Sequence, residues 1–390
     1  MALKGIKVRL YLNKQQIKLL NNHFNCCRYI YNSALEYKKI MYSDYKINVS
    51  KFDIINQLPE IKEEFEFLKE IKAECLQNEI SNLDRAYKNF FNKRANFPKF
   101  KSKRAKQSFT QEQNFNIKNN KIKFLKQLIK FKCSNKNLKE LNNLKIKKII
   151  YSKNYLNQYF ASILVEFEPL KLKSLDASKN TVGIDLGINH FLVTSNEEYI
   201  ENPRFLKSDI KKLKKEQKKL SKKQKGSNNR NKQKIKLAKL YQKIKNQRSY
   251  FLNQVSNKLI NDNQVIKHED LKVKNMLKNH YLAQSISDAS WSEFLRQLDY
   301  KANWYGRKII KIDTFYPSSK TCNNCGFINK NLKLNNRIFE CPICGHKECR
   351  DLNAAKNILK FNTEELPEIN ASGQKINRSL VERRKIEINL

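Results

Sequence analysis

Three carboxylates and four cysteines in this chain stand at positions that suit metal chemistry. Asp185 lies in Thr181-Val-Gly-Ile-Asp-Leu-Gly-Ile-Asn189, where flanking apolar residues predict a buried strand, a turn and a second strand. Glu269 closes the apolar run Val265-Ile-Lys-His-Glu-Asp-Leu271, and Asp351 opens a helix-like segment. A buried carboxylate is costly unless a cation or hydrogen-bond donors meet it. Taken alone, Asp185 could equally be an Asp that ends a strand and caps a turn.

Together, the three carboxylates indicate a catalytic metal site. Two carboxylates that end strands and a third that opens a helix are the parts of an RNase H-like site, which holds paired Mg²⁺ ions for phosphodiester cleavage. Gly-Ile-Asp-Leu-Gly also opens the phosphate site of actin-like ATPases. That alternative needs further glycine-rich loops, which the eight glycines of this chain do not supply.

The cysteines predict a structural zinc site. Cys322 and Cys325 form one Cys-x-x-Cys-Gly motif, and Cys341 and Cys344 form a second after an interval of fifteen residues. Paired turns of this kind bring four thiolates to one ion, as in a zinc ribbon. Four reduced core cysteines are the alternative, but they would not require two turns that each end in glycine. A zinc ion held by four cysteines has no open coordination position for a substrate or water, so this site would be structural. His346 is a further possible ligand that we do not favour.

The charge of the chain calls for a polyanionic partner. Lys and Arg number 79 against 37 Asp and Glu, a formal net charge of +42 spread over most of 390 residues. Such a surplus favours a long nucleic acid over a small acidic ligand, with ribosomal or chromatin-type proteins as the alternative. The sequence shows no apolar run of transmembrane length and no signal peptide at its start. We therefore expect a cytoplasmic protein.

The first half of the chain predicts a small β-barrel with helices inserted into it. Residues 5–12 form one predicted strand, and further strands follow between 109 and 170, with lysines alternating along several of them. The helices lie between residues 13 and 95. The last of them, 70–91, carries Lys72 and Gln77 on its polar face, which is either a solvated face or a surface that contacts DNA bases.

A basic helical hairpin is predicted after Asp185. Between Lys207 and Arg248 the sequence has eighteen Lys and Arg against only Asp209 and Glu216. Apolar residues keep helical spacing on both sides of the break at 226–231. A charge run is often only solvated, but this one would repel itself without a polyanion. The candidate nucleic-acid contacts here are Lys211, Lys215, Lys218, Lys222 and Arg230.

These motifs resemble those of the TnpB family. The resemblance rests on Gly-Ile-Asp-Leu-Gly-Ile-Asn around Asp185, His-Glu-Asp-Leu-Lys-Val-Lys-Asn-Met at 268–276, Ser-Ser-Lys-Thr-Cys-Asn-Asn-Cys-Gly at 318–326, and Cys-Pro-Ile-Cys-Gly followed by Arg-Asp-Leu-Asn-Ala-Ala at 350–355. It covers almost the whole chain. Members of that family are transposon-encoded, RNA-guided DNA endonucleases related to the compact type V CRISPR effectors.

The resemblance implies a mixed α and β architecture with several domains. They are a β-barrel wedge domain (1–12 and 96–175), a helical recognition domain (13–95), a RuvC-like, RNase H-like nuclease domain (176–320 and 346–362) that carries the basic hairpin (207–260), a zinc ribbon (321–345) and a loosely ordered tail (363–390).

The resemblance also implies an activity and its partners. Asp185, Glu269 and Asp351 match the catalytic carboxylates, with two Mg²⁺ ions as cofactors, and the four cysteines match the zinc element, with one Zn²⁺. The partners would be a guide RNA derived from the transposon end and a double-stranded DNA target beside a short motif, with no membrane. Whether the protein is a monomer or a dimer stays open.

One position departs from the family pattern. Cys349 stands where the family often has an Asp two residues before the last catalytic one, and we expect it to affect local hydrogen bonding rather than the metals. The alternative function is that of a nucleic-acid-binding regulatory protein of a transposon that does not cleave. The intact carboxylates speak against that alternative.

Overall fold

The computed structural model describes residues 2–361 apart from 104–105, 170–171, 178, 315 and 334–335, and also describes a short strand pair, Glu368–Ile369 with Lys375–Ile376. The chain divides into two compact units. The first comprises Met1–Glu168 with Leu220–Lys239, and the second Pro169–Lys219 with Leu240–Leu390. Apart from that strand pair, the predicted loosely ordered tail, 363–390, lies outside the described residues.

The first unit combines an antiparallel sheet with a group of helices. Its strands are β1 (Ala2–Tyr11), β2 (Gln107–Gln111), β3 (Ile117–Lys118), β4 (Lys121–Phe124), β5 (Gln127–Lys132), β6 (Lys145–Lys153) and β7 (Tyr159–Phe167). Its helices are α1 (Lys14–Tyr45), α2 (Lys51–Asn56), α3 (Leu58–Glu64), a 3-10 turn (Glu66–Leu68), α4 (Ala73–Phe91) and α5 (Asn135–Asn143).

The sheet of the first unit is open, which corrects the predicted barrel. Its strand order is β2-β6-β7-β1-β5-β4-β3, so that β2 and β3 are its two edges in the described part of the chain. These edges are consecutive in sequence and are joined by a turn in which Asn114 has a positive φ of 55°. The Gln111 side chain donates to the carbonyl oxygens of Gln113 (2.9 Å) and Asn114 (3.3 Å). The chain therefore turns at this point instead of pairing the edges.

The helices and the sheet of the first unit share one hydrophobic core. Leu20 and Phe24 of α1 pack with Phe109, Phe124 and Tyr151 of the sheet, all of them almost fully buried. A capping box starts α1, since Asn13 Oδ1 accepts from the backbone N–H of Gln16 and Gln16 Oε1 accepts from the backbone N–H of Asn13. Helix α4 begins at residue 73, later than the predicted residue 70, and α5 was not expected from the sequence.

The second unit is built on a mixed five-stranded sheet. The five strands of this sheet are β8 (Thr181–Leu186), β9 (His190–Thr194), β10 (Tyr199–Glu201), β11 (Val265–Glu269) and β12 (Lys308–Ile312). A separate antiparallel pair is formed by β13 (Ile338–Glu340) and β14 (Lys347–Cys349). The helices of this unit are α6 (Phe205–Ser221), α7 (Asn228–Asp262), α8 (Val273–Met276), α9 (Ala283–Ala289), α10 (Trp291–Tyr305) and α11 (Arg350–Lys360), and the adjoining ends of α6 and α7 fall in the first unit.

The topology of this sheet sets the position of the carboxylates. The strand order is β10-β9-β8-β11-β12, in which β8, β11 and β12 are parallel and β9 and β10 are antiparallel to their neighbours. Val182, Ile184, Phe191 and Ile266 are buried in its core. Because parallel strands end at the same edge of a sheet, residues at the ends of β8 and β11 lie side by side.

The basic hairpin forms as predicted, from α6 and α7. Buried Asp288 accepts from the backbone N–H of Leu206 at 2.9 Å and pairs with Arg248 at 2.7 Å, so one carboxylate ties the first turn of α6 to α7. The helical stretch over 283–305 is interrupted, because Ser290 adopts a left-handed φ of 57° between α9 and α10. No helix in the described part of the chain is both long enough and apolar enough to cross a membrane.

Candidate functional site

The second unit brings the three predicted carboxylates to one edge of its sheet. Asp185 is the fifth residue of β8, and Glu269 is the last residue of the parallel neighbour β11. Because His268 lies opposite Ile184 in that ladder, the next residue on each strand places Glu269 beside Asp185. Asp351 is the second residue of α11. The elements predicted from the sequence thus converge.

Gly183 lets α11 approach β8 closely, and Gly187 lies next to the Asp351 side chain. A Cβ on Gly183 would lie 2.3 Å from the carbonyl oxygen of Ala355 and 2.6 Å from the nitrogen of Leu359. A Cβ on Gly187 would lie 3.9 Å from Oδ2 of Asp351. The helix backbone therefore rests directly on the strand, and the Asp351 carboxylate stands at the end of β8.

Replacing Gly183 by Ala should destabilise the protein by about 3 kcal/mol, at the upper end of the range for overpacked cores, because the new methyl group would overlap backbone atoms that cannot rotate away. Gly5→Ala is the matched control, since a Cβ there meets nothing within 4 Å. Thermal unfolding of the two variants beside the wild type measures the difference. Equal melting temperatures for the two variants would contradict the close packing of α11 on β8.

The other two carboxylates act electrostatically on Asp185. Burial, followed by the charges of Glu269 and Asp351, raises the pKa of Asp185 to about 8, while Arg350 opposes the shift. Burial also raises the pKa of Glu269, and a hydrogen bond from the Ser318 hydroxyl opposes that rise. A partly buried group of neighbouring like charges is a place where a cation is stabilising. The donor set therefore fits divalent metal ions with oxygen ligands.

The four predicted cysteines form a compact cluster. Their Sγ atoms lie within 4.8 Å of one another, with 3.7 Å between Cys322 and Cys344 and 3.6 Å between Cys325 and Cys341. Tetrahedral zinc with bonds of about 2.3 Å needs sulfurs about 3.8 Å apart. The thiols are free of disulfides. Cys322 and Cys341 are buried, whereas Cys325 and Cys344 are exposed. One side of the cluster is therefore shielded from solvent and the other side faces it.

Two turns of the same design hold these cysteines. Gly326 and Gly345 follow the second cysteine of each pair with φ of 77° and 67°, and their N–H groups donate to the carbonyls of Cys322 and Cys341. Left-handed backbone of this kind favours glycine. His346 lies outside the cluster, because its Nε2 is 3.1 Å from Nδ2 of Asn323. The geometry fits one zinc ion held by the four thiolates.

The structure gives two of the predicted nucleic-acid contacts local roles. Arg230 donates to the carbonyl oxygens of Leu220 at 2.6 Å and Lys223 at 2.7 Å, and so caps the last turn of α6. Lys72 pairs with Glu74 at 3.2 Å, and its side chain is only 17% exposed. The remaining candidates, all of them exposed, are Gln77, Lys211, Lys215, Lys218 and Lys222.

A surface that the sequence analysis did not single out combines aromatic rings with lysine. Phe91, Phe97 and Phe100 are 71%, 41% and 51% exposed. The Lys39 ammonium lies 4.7 Å from the ring centroid of Phe100 and 5.6 Å from that of Phe97. The available signal was the run Phe97-Pro-Lys-Phe-Lys101, in which phenylalanine alternates with lysine. We call this the Phe91 surface.

Cys349 has a local partner. It is the last residue of β14, and it lies close enough to Tyr199 of β10 to influence the pKa of that phenol. The pKa of Tyr199 is raised to about 12, mainly by burial and then by Cys349.

Family models match three parts of the chain. Residues 162–280 match a family described as "Probable transposase", residues 291–358 match the "Cas12f1-like, TNB domain", and residues 1–46 match a "Helix-turn-helix domain". In this chain the third region is a strand followed by the single long helix α1, rather than two helices joined by a turn.

Relatives and solved structures match most of the chain. A Streptomyces pristinaespiralis protein named "Putative RNA-guided DNA endonuclease" is 36% identical over 363 residues, 91% of this chain and 88% of its own length. InsQ of Escherichia coli K12, which carries the same description, is 30% identical and covers 92% of both chains. The protein in a Cas12f1–sgRNA–target DNA complex has the same fold, with a TM-score of 0.62 at 16% identity over 91% of this chain and 84% of that one.

The sheets and helices of the two units thus define a mixed α and β fold, which is shared with the protein in the Cas12f1 complex. The chain belongs to the TnpB family.

Proposed function

We propose that this protein is an RNA-guided DNA endonuclease encoded by an insertion sequence, and that it hydrolyses phosphodiester bonds at Asp185, Glu269 and Asp351. The observation that carries the proposal is the convergence of these carboxylates at one sheet edge, where burial and mutual repulsion act on Asp185. The names of the relatives support the same activity. The alternative is a regulatory protein that binds nucleic acid without cleaving it. Such a protein would have no use for three neighbouring carboxylates whose like charges destabilise the fold.

The sheet of the second unit supports an RNase H-like, RuvC-type assignment. The sheet has three parallel strands with two further strands, β9 and β10, on one side of them. This arrangement places the ends of β8 and β11 side by side, and α11 supplies the third carboxylate. The proposed domains keep their predicted bounds. They are a wedge (1–12 and 96–175) that is an open sheet rather than a barrel, a recognition domain (13–95), the nuclease domain (176–320 and 346–362) and the ribbon (321–345).

In the proposed mechanism Asp185, Glu269 and Asp351 would hold two Mg²⁺ ions. Such ions would supply an activated water and charge stabilisation at the leaving oxygen. The protein positions the three carboxylates through β8, β11 and α11. In the absence of metal, burial and the neighbouring carboxylates raise the pKa of Asp185 and so favour its protonated form. The four cysteines of the ribbon hold one Zn²⁺ in a purely structural site.

Guide RNA and target DNA would bind through distributed basic surfaces. Lys211, Lys215, Lys218 and Lys222 lie exposed along and just after α6 and suit a phosphate backbone. Base pairing between the guide and the target would then supply sequence specificity. Gln77 on α4 is exposed and is our candidate for contacting the short motif beside the target. The Phe91 surface suits unpaired bases, because aromatic stacking contributes about 1–3 kcal/mol per base.

The protein should copurify with a structured RNA, because a net charge of +42 needs a polyanion. If many phosphates are neutralised, log K should fall with log salt at a slope of roughly −0.7 to −0.9 per phosphate. Sequencing of the bound RNA identifies the guide, and a plasmid that carries a matching target with randomised flanks then tests guided cleavage. A nucleic-acid-free protein whose binding ignores salt would overturn the proposal. Guided binding without any cleavage would favour the regulatory alternative.

A further inference from the structure

Ser318 joins the zinc ribbon to a proposed catalytic carboxylate. It lies four residues before Cys322 and is 4% exposed. Its hydroxyl donates to Oε1 of Glu269, and its carbonyl oxygen accepts from Nδ2 of Asn357 on α11 at 2.8 Å. One buried residue therefore contacts both Glu269 and the helix that carries Asp351.

Two asparagines of α11 hold the first cysteine turn of the ribbon. Nδ2 of Asn353 and Nδ2 of Asn357 donate to the carbonyl oxygen of Thr321 at 2.7 and 2.6 Å. The backbone N–H of Asn323 donates to Oδ1 of Asn353 at 2.9 Å. Thr321 and Asn323 are the residues on either side of Cys322, so these bonds enclose a zinc ligand. Both asparagine side chains are almost fully buried, at 0% and 3% exposure.

The two asparagines that make these bonds lie on one face of α11, so the bonds fix the position of that face against the ribbon. Residues four apart in a helix are neighbours on its surface, so Asn353 and Asn357 present their amides together. Asp351 lies within the same first turns of α11. At the other end of the helix, Nζ of Lys267 donates to the carbonyls of Leu359 and Phe361, each at 2.7 Å. The helix is thus held at both ends, and its N-terminal half is held by the ribbon.

We infer that Ser318, Asn353 and Asn357 are positioning residues through which the zinc-loaded ribbon fixes Glu269 and Asp351, so that zinc and divalent ions at the carboxylates stabilise each other. The inference rests on the proposed function, since it assigns the carboxylates to divalent ions. Coupling between two sites is reciprocal, and each ion should therefore strengthen the binding of the other. Residues that orient metal ligands in this way typically change metal affinity about 10- to 100-fold when removed.

Ser318→Ala removes only the hydroxyl that holds Glu269, and it is the primary test. Mn²⁺ is the probe, measured by calorimetry and by electron paramagnetic resonance on the nucleic-acid-free full chain. We expect a Kd raised about 10- to 100-fold, one zinc per chain and a protein that still unfolds in one cooperative thermal transition. Ser318→Thr keeps a hydroxyl and should restore part of the affinity. Ser208→Ala, which removes a hydroxyl bonded to the carbonyl of Phe205 on α6, is the control and should bind Mn²⁺ like the wild type.

The reciprocal measurement separates positioning from general stability. Transfer of zinc to a zinc-selective chromogenic chelator should be slower in the presence of Mg²⁺ for the wild type, and this protection should be lost in Ser318→Ala and in Asn357→Ala. If Asp185→Ala weakens Mn²⁺ binding but Ser318→Ala leaves it unchanged, the coupling is wrong and the carboxylate site stands. If the wild type binds no Mn²⁺, both the coupling and the proposed metal site fail.

Discussion

Asp185→Ala should abolish guided DNA cleavage while the protein still binds its guide and target. We expect a loss of more than about 100-fold, because residues that only support a metal ligand already cost about 10- to 100-fold. Asp185 lies beside Glu269 on parallel strands, and a carboxylate that would bind Mg²⁺ has few substitutes, since Mg²⁺ keeps octahedral oxygen coordination. Binding should persist because it depends on lysines elsewhere in the chain.

The measurement is cleavage of a matched plasmid beside a binding assay, each with Mg²⁺ and with chelator. Asp209→Ala is a suitable control, because this carboxylate pairs with Lys243 on the exposed hairpin at 3.1 Å. Cleavage by Asp185→Ala at a rate near that of the wild type would remove the basis of the proposed site. Loss of both cleavage and binding would indicate a damaged fold.

Asp185 should also make the stability of the metal-free protein fall as the pH rises. The pKa of Asp185 is about 8 in the folded, metal-free protein and about 4 in an unfolded chain. A raised folded-state pKa contributes stability that is complete below about pH 4 and is lost as the pH rises through about 8. Asp185→Asn has no such proton to lose. Metal-free Asp185→Asn should therefore gain in melting temperature relative to the wild type between pH 6 and pH 9, as differential scanning calorimetry would show.

Cys322→Ser should remove the zinc and unfold the ribbon. Structural zinc sites contribute about 10–16 kcal/mol of apparent binding free energy, which is also folding free energy. Cys322 is 1% exposed and is enclosed by the bonds from α11, so no solvent-facing ligand can easily replace its thiolate. We expect zinc per chain to fall from one to near zero, with new proteolytic cleavage between residues 321 and 349.

Elemental analysis and limited proteolysis measure these two effects. Cys133→Ser is the matched control, because this cysteine is a free thiol outside the cluster and only partly buried. That variant should keep its zinc and its resistance to proteolysis. A Cys322→Ser protein that retains both zinc and an intact ribbon would show that the thiolate is not a ligand.

Local patterns were sufficient to predict the elements that carry the site. Asp185 and Glu269 lie in apolar runs that form β8 and β11, and Asp351 opens α11, as the sequence indicated. The cysteine spacing predicted a cluster whose geometry depends mostly on two short turns. In each case the signal lies within about ten residues, where hydrophobic periodicity and turn chemistry are informative.

The features that the sequence did not predict depend on contacts between distant residues. Closure of the predicted barrel would have needed β2 to pair with β3. Instead the chain turns at Asn114, and β2 and β3 lie at opposite edges of an open sheet. The contact between Ser318 and Glu269 spans 49 residues of sequence. Ser290 adopts a left-handed conformation that favours glycine, so its break between α9 and α10 has no local signal. Arg230 was expected to face a ligand but bonds to carbonyls of its own hairpin.

The packing of α11 on Gly183 has a consequence for synthesis on the ribosome. The strand that carries Asp185 is translated about 165 residues before the helix that completes its edge of the sheet. The lysines of α6 and most of α7 emerge well before α11, so a growing chain can already attract nucleic acid while its third carboxylate is still missing. We therefore expect translation intermediates that end before residue 350 to bind nucleic acid without cutting it. In the cell, this order of emergence would delay nuclease activity until the carboxylates, the ribbon and α11 can assemble together.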